Sequence, residues 1–247
     1  MEPPLPGGPG AAAGQPPWSL AAHPSGYLVV GLAAAGLGLG VPGLFLALRA
    51  IRSGWLISPR FVLLAGLACA ALLTLLPPFG SSDPLSYAAY GRALVTGHNP
   101  YVIAPAVLAR DGDPVARAVQ DWAGTPSVYG ALATGIQGLA SLAGGTSARL
   151  TVFLLDLVNF AAFAGTGLLL DRLARRSDTA RLRAALLWTC NPVLLQVLVA
   201  GGHLDSQAVF FAVLAFALLA RESPESSPPA LPQEALPQEA LPQEALP

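Results

Sequence analysis

Four apolar runs, at about residues 27–48, 60–78, 150–170 and 184–200, leave this chain few folds to choose from. A helix needs about 20 mostly apolar residues to cross the hydrocarbon core of a bilayer, and these runs approach that length. A fifth run, at about 206–220, is shorter. A sixth, 127–144 (SVYGALATGIQGLASLAG), is apolar but rich in Gly and flecked with polar residues. Only 11% of the chain is charged, against about 25% in soluble domains. The expected fold is therefore all-α, a polytopic transmembrane helix bundle of about five spans plus one surface or re-entrant helix. A net charge of −1 offers no field for nucleic acid, so the lipid bilayer is the expected partner and nucleic acid is not.

Positive charge orients such a bundle, because Arg-rich short loops stay in the cytoplasm. All 13 basic residues are Arg. Arg49, Arg52 and Arg60 cluster between the first two spans, and Arg172, Arg175, Arg176, Arg181 and Arg183 between 170 and 184. Both clusters stay inside only if 127–144 lies on or dips into the surface. The N-terminus is then outside, 79–148 forms one large outer loop with short helices, and GGHLDSQ (201–207) forms a second, short one. The implied location is a multi-pass cell-membrane protein whose polar loops face the periplasm or exterior.

The two ends read differently from the bundle. Residues 1–26 are rich in Pro and Gly and lack the basic start of a signal peptide. Residues 222–247 repeat ALPQE, present no apolar face, and are expected to be disordered. The chain divides into 1–26, a membrane domain at 27–221, and this tail. A bundle that ends near residue 220 in such a tail is expected to be cut short. Cys69 and Cys190 lie in apolar runs as buried free thiols, with no disulfide or zinc spacing.

The outer loops carry polar groups that a mere connection does not need. In GSSDPLSYAAYGRALVTGHNPY (80–101), Asp83 before Pro84 is a helix-start pair, predicting a helix from 84 to about 96. Asp83, Tyr87 and Tyr90 share a face by their i, i+4, i+7 spacing, and Arg92 lies on another. Asp83 fits a helix cap as well as a catalytic carboxylate. His98, Asn99, Pro100 and Tyr101 turn the chain. DWAGTPSVYG (121–130) adds Asp121, Trp122 and Tyr129, rings suited to a sugar face or an isoprenoid chain. In the second loop, Asn191-Pro192 predicts a kink, Gly201-Gly202 a helix end, and His203 and Asp205 a second polar patch. One carboxylate from each loop can flank a sugar or hold a cation. Asp156 and Asn159, three residues apart within a span, face a partner helix or the groove. Gly36 and Gly40 have the spacing of a helix-packing seam.

Asp-Pro-x-x-x-Tyr-x-x-Tyr-Gly-Arg from 83, followed by Gly-His-Asn-Pro-Tyr from 97, resembles the first outer loop of GT-C glycosyltransferases. Within them it is similar to the actinobacterial polyprenol-phosphomannose-dependent α-1,6-mannosyltransferases. PSVYG (126–130) and NPVLLQVLVAGGHLDSQ (191–207) match later parts of that family, so the resemblance runs from about residue 60 to 220. The family is longer and has more spans, and favours an Asn-Asp pair where this chain has Leu204-Asp205.

The resemblance implies a hexosyltransferase that moves mannose from polyprenyl-phosphate-mannose to a glycan acceptor hydroxyl, with inversion. It implies no organic cofactor, and a divalent cation stays open. Such chemistry needs a carboxylate to take the acceptor proton and positive or hydrogen-bonding groups for the departing phosphate. Asp83 is the base candidate. Tyr87, Tyr90, Arg92, Asn99, Tyr101, Tyr129, His203 and Asp205 are the substrate-binding candidates, His203 and Arg92 for the phosphate. The competing class is a non-catalytic polytopic protein, such as a partial transporter or a cell-envelope assembly factor. A transporter is expected to show repeated halves with broken helices at midplane, and the sequence shows no such repeat.

Overall fold

The computed structural model describes residues 16–18, 25–55 and 57–222. The expectations for 1–15 and 223–247 lie outside the described residues. Nine α-helical segments follow one another, and no strand forms among the described residues. They are α1 (Gly26–Arg52), α2 (Pro59–Thr74), α3 (Asp83–Val95), α4 (Pro105–Arg110), α5 (Ala131–Gly144), α6 (Ala148–Leu173), α7 (Asp178–Leu187), α8 (Pro192–Leu194) and α9 (Asp205–Glu222).

Short polar side chains start the long helices. Ser25, Ser58, Ser147 and Ser177 each accept the N–H three residues on, and Asn191 accepts that of Val193. Each thereby satisfies one of the four donors that a helix start leaves free. Pro59 and Pro192 follow two of these caps, where a missing N–H costs nothing.

Three helices are long and apolar enough to cross a membrane: α1, α6, and the rod 178–200 made of α7, α8 and a π-helical stretch, Leu195–Ala200. At 1.5 Å per residue they reach about 35–40 Å, more than the about 30 Å of a bilayer core. α2, α5 and Asp205–Leu219 of α9 are shorter apolar helices. The 14 residues of α5 extend only about 21 Å, too short to cross alone. The third span begins at Asp178, six residues before the apolar run, because Ser177 caps it and Arg181 pairs both carboxylate oxygens of Asp171 at 2.8 and 3.0 Å. The predicted break at Asn191-Pro192 is present, and the chain beyond it widens into the π-helical turns.

α2, α6 and the 178–200 rod surround one core of Ala70, Phe163, Leu198 and Val199, on which Trp188 stacks over Phe163. Small residues bring the backbones together, as between membrane helices that gain little from apolar burial alone. A Cβ at Gly66 falls 2.6 Å from the Thr189 hydroxyl, and one at Gly167 falls 2.8 Å from the Thr189 methyl. Gly40 meets Pro192 in the same way, whereas Gly36 faces open space and takes no part in the seam. Cys190 is partly buried, with its thiol directed at the Val62 carbonyl, but Cys69 is exposed on the outside of the bundle. An apolar run does not reveal which helix face a neighbour covers.

These contacts make α2 antiparallel to α6 and parallel to the 178–200 rod. Arg60, Arg172 and Arg181 therefore share one end, and Asp83 and His203 lie at the other. At that second end α3 packs on α5 and α6, while α4 and a 3₁₀ turn (Ala116–Ala118) close over Ala89 and Ala93. The α3–α5 approach is the tightest of these, with a Cβ at Gly91 falling 2.1 Å from the Gln137 carbonyl oxygen. Gly91→Ala is expected to force α3 and α5 apart and to lower stability by about 1–3 kcal/mol or more. Gly135→Ala, which meets nothing within 4 Å, is the neutral control. Thermal unfolding of the purified variants measures the difference.

Candidate active site

The two polar loops meet at the ends of α2, α6 and the 178–200 rod. Gly80 turns the chain after α2 with φ +89°, and the Phe79 N–H donates to the Ala200 carbonyl at 2.6 Å. The second loop turns at Gly202, φ +65°. A Cβ there falls 2.7 Å from Asp156 Oδ1 and 2.9 Å from Pro84 Cγ. Only hydrogen fits, and the loop therefore lies flat against both α6 and the start of α3. Asn159 Nδ2 donates to the Gly202 carbonyl at 3.0 Å, and Gln207 Nε2 donates to Asn159 Oδ1 at 2.7 Å. Asn159 thus holds the loop from inside the bundle, while the equally buried Asp156 only packs against it, its Oδ1 bonding no group among the described residues.

This support brings Asp83 and His203 together. Asp83 is the first residue of α3, one place inside the cap position that Ser82 takes. Among the described residues no backbone N–H donates to its carboxylate. Asp83 Oδ2 instead faces His203 Nδ1 at 3.5 Å, with both side chains about a quarter exposed. The helix begins at Asp83 rather than 84, and of the two roles left open for Asp83 the carboxylate makes no capping bond; nor does the Ser82 side chain. The carboxylate points across to the other loop, and its place in the first turn keeps it in the favourable field of the helix start. The His203 ring lies over Gly201, where a Cβ falls 2.9 Å from Cδ2.

An open cleft of about 440 Å³ begins at Asp83 and is lined by Gly80, Ser81, Ser82, Asp83, Asp121 and Trp122. Ser82 Oγ donates to Asp121 Oδ2 at 2.7 Å, and Ser86 Oγ to the Asp121 carbonyl at 3.3 Å, so the 121–122 segment is fastened to the first turn of α3. Asp121 and Trp122 were legible as part of an aromatic-proline segment, but nothing in their local spacing ties them to Asp83.

The other expected residues divide between support and surface. Tyr87 and Tyr90 are buried, 3% and 4% exposed, and they back the cleft without lining it. Their rings lie 5.2 and 6.2 Å from Tyr129, and Tyr90 donates to the Thr125 carbonyl. Burial first, then the Tyr129 hydroxyl and the Asp83 and Asp205 carboxylates, push the Tyr87 phenol far above the ordinary tyrosine range. It stays neutral. Arg92 does not reach the cleft: its Nε donates to Asp113 at 2.6 Å, and Asp113 also caps the 3₁₀ turn through the N–H groups of Val115 and Ala116. Asn99 accepts the Tyr101 N–H and shapes the turn, and the Tyr101 hydroxyl donates to Thr134. Asp205 is exposed in the first turn of α9. No group of three or more His, Cys, Asp or Glu side chains converges on a metal position among the described residues.

A family model described as "Alpha-(1->6)-mannopyranosyltransferase, N-terminal domain" matches residues 8–232. A protein of Mycolicibacterium smegmatis named "Probable alpha-(1->6)-mannopyranosyltransferase" is 35% identical over 136 residues, which are 53% of this chain and 24% of that protein. The chain thus aligns with about a quarter of that relative's length. No solved structure matches.

Gly202→Ala tests the loop geometry. The added methyl meets Asp156 and Pro84 in a left-handed backbone conformation, and a loss of about 1–3 kcal/mol in unfolding stability is expected. Thermal unfolding in detergent, with the exposed Gly124→Ala as control, measures it.

Proposed function

The chain belongs to the alpha-(1->6)-mannopyranosyltransferase family through its N-terminal domain, and on that premise we propose that it transfers mannose from polyprenyl-phosphate-mannose to a glycan hydroxyl at the outer face of the cell membrane, with inversion. The observation that supports this best is the Asp83 carboxylate. It is uncapped, a quarter exposed, opens into a cleft, and faces His203 from the other loop.

In this reading Asp83 takes the proton of the acceptor hydroxyl as its oxygen attacks the anomeric carbon. The bond from that carbon to the phosphate oxygen breaks on the opposite side, and polyprenyl phosphate leaves. A single displacement of this kind inverts the anomeric centre. His203 orients Asp83 through Nδ1 and provides the hydrogen-bonding group nearest to the leaving phosphate. Arg92, held by Asp113, drops out of that role. The apolar flanks of α1, α2 and the 178–200 rod offer the polyprenyl chain a lipid-like surface. Buried Tyr87 and Tyr90, with partly buried Tyr129, keep the first turn of α3 in place, and Asp205 lies at the rim.

A supporting carboxylate and a base make different demands. Asp83→Asn and Asp83→Ala are both expected to insert and fold, because no backbone N–H among the described residues donates to the Asp83 carboxylate. Both are expected to lose on the order of 10²–10⁴-fold in transfer rate, since a base needs the ionised group. The assay is mannose transfer from a short-chain polyprenyl-phosphate-mannose to a mannose oligomer at matched protein. Near-full activity of Asp83→Asn would remove Asp83 as the base.

Facing of the site follows from the Arg-bearing ends, which stay in the cytoplasm. Alkaline phosphatase fused after Gly112 is expected to be active, and after Arg176 inactive. The reverse pattern would place the cleft inside the cell.

A further inference from the structure

The cleft beside Asp83 contains a feature that the fold does not require. Trp122 has φ +63°, the one positive φ outside glycine among the described residues. Side chains rarely adopt this conformation, and a glycine would hold the same turn without strain. The indole repays nothing locally: it is 62% exposed and makes no hydrogen bond or ring contact among the described residues. Strain of this kind gathers where a side chain must point in a functional direction.

The rest of the lining decides what that direction serves. Asp83 and Asp121 supply two carboxylates, Ser81 and Ser82 two hydroxyls, and no lining residue is cationic. A phosphate group, on a lipid or free, would meet two negative charges with nothing to neutralise them. A neutral ring with many hydroxyls meets the opposite situation. Its O–H groups donate to carboxylate oxygens, and its C–H face lies on an aromatic surface. The cleft, at about 440 Å³, lies within the about 300–1,000 Å³ range of small-ligand pockets.

We propose that the cleft is the acceptor subsite, in which the Trp122 indole carries the apolar face of the acceptor sugar, Asp121 and Ser81 bond its hydroxyls, and one hydroxyl is presented to Asp83. The assignment rests on the glycosyl-transfer reading above for its choice of sugar. It places the anionic donor on the far side of Asp83, toward His203. The Ser82–Asp121 bond then sets the distance between the platform and the base.

The test uses the full chain in lipid nanodiscs, labelled with 5-fluorotryptophan, which gives one fluorine signal for each of the four Trp residues. Trp122→Phe assigns the Trp122 signal. An α-1,6-linked mannotriose is expected to shift that signal saturably, while inorganic phosphate and a short polyprenyl phosphate leave it unmoved. In transfer assays Trp122→Gly, which suits the backbone, is expected to raise the apparent KM for mannotriose about tenfold with little change in donor KM, and Trp122→Phe to recover most of the loss. A Trp122 signal that ignores mannotriose, that follows the phosphate probes, or that is only broadened by spin-labelled lipid overturns the proposal. If mannotriose shifts the signal but no donor supports transfer, the subsite stands and the transferase reading falls. If transfer proceeds and Trp122→Gly leaves the mannotriose KM unchanged, the reading stands and the subsite falls.

Discussion

The carboxamide of Asn159 adds a buried polar link to three elements that also pack against one another. It donates to the Gly202 carbonyl and accepts from Gln207, linking α6, the second outer loop and α9. Between apolar helices such groups have no water to turn to, and an unpaired one costs about as much as a lost hydrogen bond. The loop therefore adopts the one path that satisfies its carbonyl. Gly201 and Gly202 follow that path because a larger residue meets His203, Asp156 or Pro84. The position of His203, and with it the group facing Asp83, depends on this internal bond.

Close backbone approach does similar work lower in the bundle. Gly66, Gly167 and Thr189 bring α2, α6 and the 178–200 rod into contact, and Trp188 bonds the Phe163 carbonyl while stacking on its ring. The rod loses regularity after Asn191-Pro192, and its π-helical turns end at Gly201. That irregularity lets Ala200 present its carbonyl to Phe79, so the two polar loops are stitched together by backbone before any side chain is involved.

Polar residues near the cleft serve it at two depths. Tyr87, Tyr90, Asp156 and Asn159 are held inside, with Tyr129 partly covered beside them, and fix the frame. Asp83, His203, Asp121 and Trp122 reach the surface, where a substrate can meet them. Arg92 and Asn99, polar and close in sequence, are used up by Asp113 and by a turn.

Hydropathy by itself determined that the chain is helical and suited to a bilayer. Asp83 with Pro84, Asn191 with Pro192, and Gly201 with Gly202 marked where helices begin, break and end. These are local signals: chain length against bilayer thickness, a fixed proline φ, a missing Cβ. The pairing of Asp83 with His203 was open to the sequence only as two polar loops expected on one side. Tertiary structure decided that Asp83 is not the cap, that Tyr87 and Tyr90 turn inward, and that Asp121 and Trp122 complete the cleft. The Ser82–Asp121 bond spans 39 residues, and the Asn159–Gly202 bond 43. Helical periodicity tells which residues share a face, but what covers that face depends on how helices distant in the chain satisfy one another's buried polar groups.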